Sequence, residues 1–510
     1  MKRRTVLKGG LAALALAGTA TSAGLLKAVF AEPMPLPLKM QSVIASNALW
    51  RRTPAFAGTL PIPPLLEDLD PRRNVSRFSM DVQHGRMEFF PGTATSTMGY
   101  NGNFLGPTIR VRRGQRFRID VNNRLSQTTS LHWHGLHVPA RWDGGPRQPI
   151  RSGTTWSPEF TINQEAATLW YHPHAMGLTG EQVYHGLAGF FLIEDEVSDS
   201  LDIPKIYGVD DIPLVIQDRR FLADGQFSYV QNSDDVVHGV IGNHMLVNGA
   251  RQPDMAVPRG MVRLRVLNGS NSSIYTVSFR DRRSFQVIAS DGGFLERPAA
   301  VRSVVLSAGE RVEILVDYSG SAIGHQASLM VDQLGGDSFE AMKITVDRDS
   351  RSRPSSPAYL RSPDRIPFSE ATGVRGFTMA TMAMGNGGRG MGMTDRRLTI
   401  NGRKMDVRRI DERVRLGSTE IWEITNQRSS MGNDMPHSMH LHDVQFQILS
   451  RNGRALAPHE QGRKDTVLIL PGETVRVISR FRDYTGVYMY HCHLLEHEDD
   501  GMMGQFEVVG

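Results

Sequence analysis

His491-Cys492-His493-Leu494-Leu495-Glu496-His497-Glu498-Asp499-Asp500-Gly501-Met502 decides the reading of this chain. It holds the only cysteine of the 510 residues. Two histidines flank that cysteine, a third follows five residues on, and a methionine five beyond that, so thiolate, imidazole and thioether donors fall within one short stretch. These are the donors of a blue-copper site. Successive residues of a strand point to opposite faces, so His491 and His493 would face one way and Cys492 the other. One strand could therefore bridge two metal sites.

Working outward, three more histidine clusters appear: His132-Trp133-His134-Gly135, Trp170-Tyr171-His172-Pro173-His174 and His437-Ser438-Met439-His440-Leu441-His442. Each contains an H-x-H pair, and on a strand such a pair sets two imidazoles on one face about 7 Å apart, the scale of neighbouring ligands. A single pair could be two solvated surface imidazoles. Four pairs together with the cysteine set are hard to obtain by accident, and zinc, which takes four ligands in one closed tetrahedron, does not call for ten histidines gathered at two ends of a chain. Copper suits imidazole with thiolate, and its redox change gives a reason to link a one-electron site to a cluster. The isolated histidines 238, 244 and 325 of the middle of the chain read as ordinary structural residues.

The surrounding sequence is that of a multidomain β protein. Its length calls for several domains. Fifty glycines and 27 prolines favour many short strands joined by turns. The net charge of +5 comes from 58 basic and 53 acidic residues that are interspersed, which gives no ground for nucleic-acid binding. Lys2-Arg3-Arg4-Thr5-Val6-Leu7-Lys8 followed by the apolar run from Gly9 to Leu26 reads as a twin-arginine export signal ending near Ala31, and so predicts export to the periplasm with the signal removed. The predicted organisation is a signal at 1–31, an extended arm at 32–71, β domains at 72–200, 201–348 and 396–510, and a linker at 349–395 whose end is rich in methionine and glycine.

At this point the chain resembles the three-domain multicopper oxidases and, among them, is similar to bacterial periplasmic cuprous oxidases of copper tolerance. The likeness is carried by Gly106-Pro107-Thr108-Ile109-Arg110-Val111, His132-Trp133-His134-Gly135-Leu136, Asp143-Gly144-Gly145, Lys464-Asp465-Thr466-Val467 and the unbroken run from His491 to Met502. It implies an all-β fold of three cupredoxin-like Greek-key β-sandwich or barrel domains and four coppers per chain. A type 1 copper would be held by His437, Cys492 and His497 with Met502 as a weak axial ligand, and a type 2 copper by His132 and His440. The type 3 pair would take His134, His172 and His493 on one copper and His174, His442 and His491 on the other. The cluster would lie between the first and third domains, with the middle domain mainly a spacer.

The resemblance also implies that Asp143 and Glu498 relay protons during reduction of O2, and that Cys492 conducts electrons. A reductant, Cu(I) or a phenolic compound, would supply them singly. The family carries a methionine-rich insert over the type 1 site, which points to Met379, Met382, Met384, Met391 and Met393 as thioether ligands for substrate copper. It also places an acidic residue and a methionine just before the first type 1 histidine; here Met435 keeps that spacing, Asn433 stands in the acidic position and Asp434 falls one place late. A monomer is expected. Some exported relatives of this fold have lost copper and serve as structural or division factors, whereas all ten histidines and Cys492 are present here.

Overall fold

The structure, a computed structural model, describes residues 58–70, 75–350, 354–362, 364–381, 398–428 and 434–510. The proposed signal and the residues Met382, Met384, Met391 and Met393 lie outside these. Strands form where inward and outward positions alternate. In Arg116–Asn123, for example, Phe117, Ile119, Val121 and Asn123 are buried while the intervening residues are partly exposed, the period of a strand with one face on a core.

Such strands build three domains, each of two sheets closed over its own apolar core. In the first domain Ile109–Arg112, Gly189–Glu194, Ala167–His172 and His132–His134 lie side by side in that order. The middle domain pairs a seven-stranded with a five-stranded sheet. In the third, one sheet runs Glu412–Arg415, Met503–Val509, Gly486–Cys492, His437–Leu441, Thr466–Ile469. Neighbours consecutive in sequence, such as Ala167–His172 with Gly189–Glu194, alternate with pairs distant in sequence, such as His437–Leu441 with Gly486–Cys492, as Greek-key connections require. The fold is therefore the all-β, three-sandwich architecture that the sequence implied. No helix among the described residues is long and apolar enough to cross a membrane.

One stretch departs from the expected organisation. Gly373–Thr381, assigned above to the linker, is a strand of the third domain, parallel to Thr419–Gln427 over its length. Phe377 and Met379 alternate into that domain's core, so the apolar alternation outweighs the flanking glycines. Met379 is fully buried there, which makes its thioether a core group and removes it from the substrate-copper candidates. The arm at 58–70 is tied down: Thr59 bridges to Asp254 of the middle domain and Leu65 to Thr108 of the first, and Leu60 is buried in the middle-domain core.

Candidate metal centres

The register of two third-domain strands sorts the donors. His437–Leu441 pairs antiparallel with Gly486–Cys492 so that Met439 lies opposite Cys492 and His440 opposite His491. With a side-chain period of two, His437, Met439 and Cys492 share one face, and His440 and His491 share the other. The first face holds an outer set of donors and the second an inner one. His442 follows the first strand and His493 the second, while Pro173 lies between His172, the last residue of its strand, and His174.

In the outer set, Cys492 Sγ lies 3.5 Å from His437 Nδ1 and 3.6 Å from His497 Nδ1. The three are fully buried. His497 sits on the helical turn Leu495–Asp499. The chain then folds back, with Met502 N–H donating to the His497 carbonyl and Cys492 N–H to the Met502 carbonyl, which brings buried Met502 beside the trio. The far nitrogens of both histidines are engaged: His497 Nε2 donates to the Val237 carbonyl at 3.0 Å, and His437 Nε2 lies 3.3 Å from the Thr381 hydroxyl. His497 therefore turns a bare Nδ1 toward the sulfur, and His437 presents its Nδ1 to the same atom. Burial pushes the Cys492 thiol up to about 12, so a cation is needed to hold the thiolate at neutral pH.

The inner set gathers eight histidines, four from the first domain and four from the third, at the seam of the two. His132 Nε2 faces His440 Nε2 at 3.4 Å. His174 Nε2 and His442 Nε2 each face His491 Nε2 at 3.2 Å. His134 Nδ1 faces His172 Nε2 at 3.3 Å, and the His493 ring lies 4.8 Å from that of His134 and 5.3 Å from that of His172. The donors also approach one another across these pairs: His132 lies within ligand reach of His440 and His442 and of His134 and His172, and His174, His442 and His491 form a further group.

Outward-facing nitrogens find acceptors: the Asp143 carbonyl for His132, the Asp465 carbonyl for His440 and the Pro173 carbonyl for His172. Asp143 Oδ2 receives His442 Nδ1 at 2.7 Å. Glu498 lies between His174 Nδ1 and His491 Nδ1, at 3.2 and 3.1 Å.

Burial, reinforced by mutual repulsion, depresses seven of the eight imidazoles, His493 to about 3 and His174 to about 4. These rings are neutral and turn lone pairs into one small space, where neither nitrogen of His493 has a protein partner. Buried acceptors without donors are costly. A cation bound among them removes that cost, so the donor set fits copper. The two carboxylates diverge. Burial raises the Asp143 carboxyl well above its usual range. Burial acts the same way on Glu498, but His174 and His491 more than offset it and hold that carboxyl below its usual range.

The isolated histidine set aside as structural is the residue that sequence reasoning missed. His238 Nδ1 lies 3.3 Å from Met435 Sδ, and the preceding residue, Val237, accepts from His497. No spacing links His238 to Met435, so only the docking of the middle domain reveals the pair. Asp434 is ion-paired with Arg428 at 3.2 Å. The middle domain is thus not merely a spacer. Through Val237 it orients His497, and through Ser272 and Asn271 it binds Glu496 on the turn that carries His497.

Profiles of the multicopper oxidase family match residues 81–198, 225–325 and 377–510. The chain is 36% identical over 446 residues to a multicopper oxidase of Staphylococcus haemolyticus, covering 88% of this chain and 91% of that protein. It is 37% identical over 463 residues to the cell division protein FtsP of Escherichia coli, covering 88% and 92%. A laccase of Pediococcus acidilactici superposes with a TM-score of 0.81 at 35% identity, covering 90% of this chain and 95% of that one. With the donor geometry and these matches together, the chain belongs to the copper-binding multicopper oxidase family.

Proposed function

We propose that the protein is an exported oxidase that takes electrons singly from Cu(I) or phenolic compounds at the outer set and delivers four of them to O2, with four protons, to give two waters. Copper, when bound, supplies the one-electron redox chemistry and stores the four electrons, one metal at His437, Cys492, His497 and Met502 and three among the eight inner histidines. The observation that carries this reading is the shared strand: Cys492 of the outer set is joined by single peptide bonds to His491 and His493 of the inner set. A through-bond path from reductant to oxygen follows from the chain itself.

The protein's own groups handle the protons and exclude water. The inner histidines are buried, so protons enter through side chains. Glu498, against His174 and His491, and Asp143, against His442, are the groups placed to pass them in. Metal analysis, the visible spectrum and oxygen uptake test the whole. About four coppers per chain, an intense visible thiolate-to-copper band and reductant-dependent oxygen consumption are expected. Copper bound without oxygen consumption under any reductant would leave a copper-sequestering protein instead.

Two observations favour Cu(I) as a substrate. Met435 and His238, a soft thioether and an imidazole, sit together just outside His437 and His497. The segment 382–397, with four methionines, begins and ends at residues paired across a strand rung, Thr381 opposite Leu398, and Thr381 touches His437. Deleting residues 382–393 and, separately, His238→Ala should raise KM for Cu(I) while leaving phenol oxidation intact. If Cu(I) kinetics are unchanged in both, a laccase-like or bilirubin-oxidase-like enzyme with an organic main substrate is the better description. A role in copper tolerance and periplasmic residence, reached by twin-arginine export as a monomer, completes the proposal. The likeness to a cell division protein keeps a structural, non-enzymatic role as the contrasting reading, against which stands the complete set of ten histidines and Cys492.

A further inference from the structure

Seven inner histidines have a ring nitrogen placed against another group of the protein, and His134 differs from the other six. Those six turn Nε2 inward; five engage Nδ1 outward in a hydrogen bond, and His174 sets its Nδ1 3.2 Å from Glu498 Oε1. His134 does the reverse. Its Nε2 contacts Asp465 Oδ1 at 3.0 Å and Thr466 Oγ1 at 2.9 Å, so Nε2 carries the proton and Nδ1 is left bare toward His172. The acceptor that selects this tautomer is itself held by the middle domain. Arg311 grips Asp465 with both arms, at 2.7 and 2.6 Å. Its remaining donors go to the carbonyls of Thr168, Gly309 and Asp291.

All five guanidinium N–H groups are therefore used, and Arg311, Asp465 and His134 are all fully buried. The packing leaves no slack. Gly135, at φ +88°, follows His134, and a Cβ there would stand 2.8 Å from an Arg311 terminal nitrogen; Gly309, at φ +84°, lies so close to His493 that a Cβ would stand 2.9 Å from its ring.

We propose that Arg311 and Asp465 are a positioning pair that fixes the nitrogen His134 offers to copper, so that the type 3 copper at His134, His172 and His493 binds only when the middle domain is docked. The proposal rests on the multicopper oxidase reading. Asp465 accepts from His134 and also orients the Thr466 hydroxyl that donates to it at 2.9 Å. Arg311 keeps that carboxyl group in place. Lysine cannot replace the two-armed grip, because an ammonium is a point donor.

The test compares wild type, Arg311→Lys and the double variant Arg311→Leu with Asp465→Leu, all as full-length chains reconstituted with copper. The double variant removes both buried charges together, which spares the fold. Readouts are copper per chain, the blue band of the outer set, the near-ultraviolet absorption of the coupled pair, and the Cu(II) resonance that appears when that coupling is broken. Both variants should keep the blue band while affinity at the His134 copper falls about 10- to 100-fold, the usual cost of losing a partner behind a ligand. A purely structural ion pair would instead be rescued in the double variant. Full near-ultraviolet absorption in either variant, beside a wild type with four coppers, would overturn the proposal alone. A wild type that takes up no copper would overturn the oxidase reading and this proposal with it.

Discussion

The outer and inner donor sets share a strand but are assembled on different terms. The outer ligands His437, Cys492, His497 and Met502 all come from the third domain, and their far sides rest on neutral groups, the Val237 carbonyl and the Thr381 hydroxyl. The inner ligands come equally from two domains and are backed by three carboxylates, Asp143, Asp465 and Glu498. The outer donors thus come from one domain, with the middle domain orienting His497 from behind. The inner set reports on the docking of all three, and only there do carboxyl groups stand behind the imidazoles where protons must enter.

The largest effect should come from breaking the link between them. Cys492→Ser should abolish the visible band and lower turnover by several orders of magnitude, since the only thiolate ligand is gone, while the inner histidines still take up copper. Metal content and spectra of the variant check this; a retained visible band would mean that Cys492 is not a ligand. Next, Glu498→Gln should leave the band intact and lower oxygen uptake by about 10²-fold or more, the usual contribution of a positioned acid or base, with a steeper loss at high pH where protons are scarce. Unchanged uptake across pH would take Glu498 out of the proton path.

The smallest effect belongs to the metal-free chain. Its buried histidines have folded-state pKa values below the unfolded value near 6.5, as for His497 and His174 at about 4 and His493 at about 3. Folding then excludes protons that the unfolded chain binds, so stability is complete above pH 6.5 and falls as pH drops toward 4. At pH 5 each such ring costs about 2 kcal/mol. His137 acts in the opposite sense. Burial lowers its pKa, but Asp443 and Asp483 raise it to about 9, so its stabilising contribution is present below pH 6.5 and is lost as pH rises through 9. Thermal unfolding of the copper-free protein at pH 7.5 and 5 should show the net loss on the acid side, and bound copper should shift that loss to lower pH. Equal unfolding temperatures at the two pH values would contradict the neutral-ring description.

The donor clusters were legible in the sequence because eight histidines fall in H-x-H pairs with strand period and Cys492 is the only cysteine, whereas His437, His497 and Met502 took their roles from the resemblance. The fold class was legible from the same alternation. What could not be read was whatever depends on a partner far away in the chain. His238 has no neighbour in sequence that identifies it, and Arg311 is one of 58 basic residues until the middle domain brings it to Asp465. Met379 looked like the start of the methionine segment, yet the alternation from Phe377 carries it into a core. In each case composition pointed one way and tertiary packing decided.

The rung between Thr381 and Leu398 has a consequence of its own for how such an enzyme can diversify. It closes the sheet beside His437 whatever lies between its two ends, and each doubling of a loop's length costs only about 0.6 kcal/mol in closure entropy. Segments of different length and chemistry can therefore be exchanged at this place without disturbing the oxygen-reducing end of the molecule. On the proposed function, choice of reductant becomes a replaceable part, and oxygen reduction the fixed one.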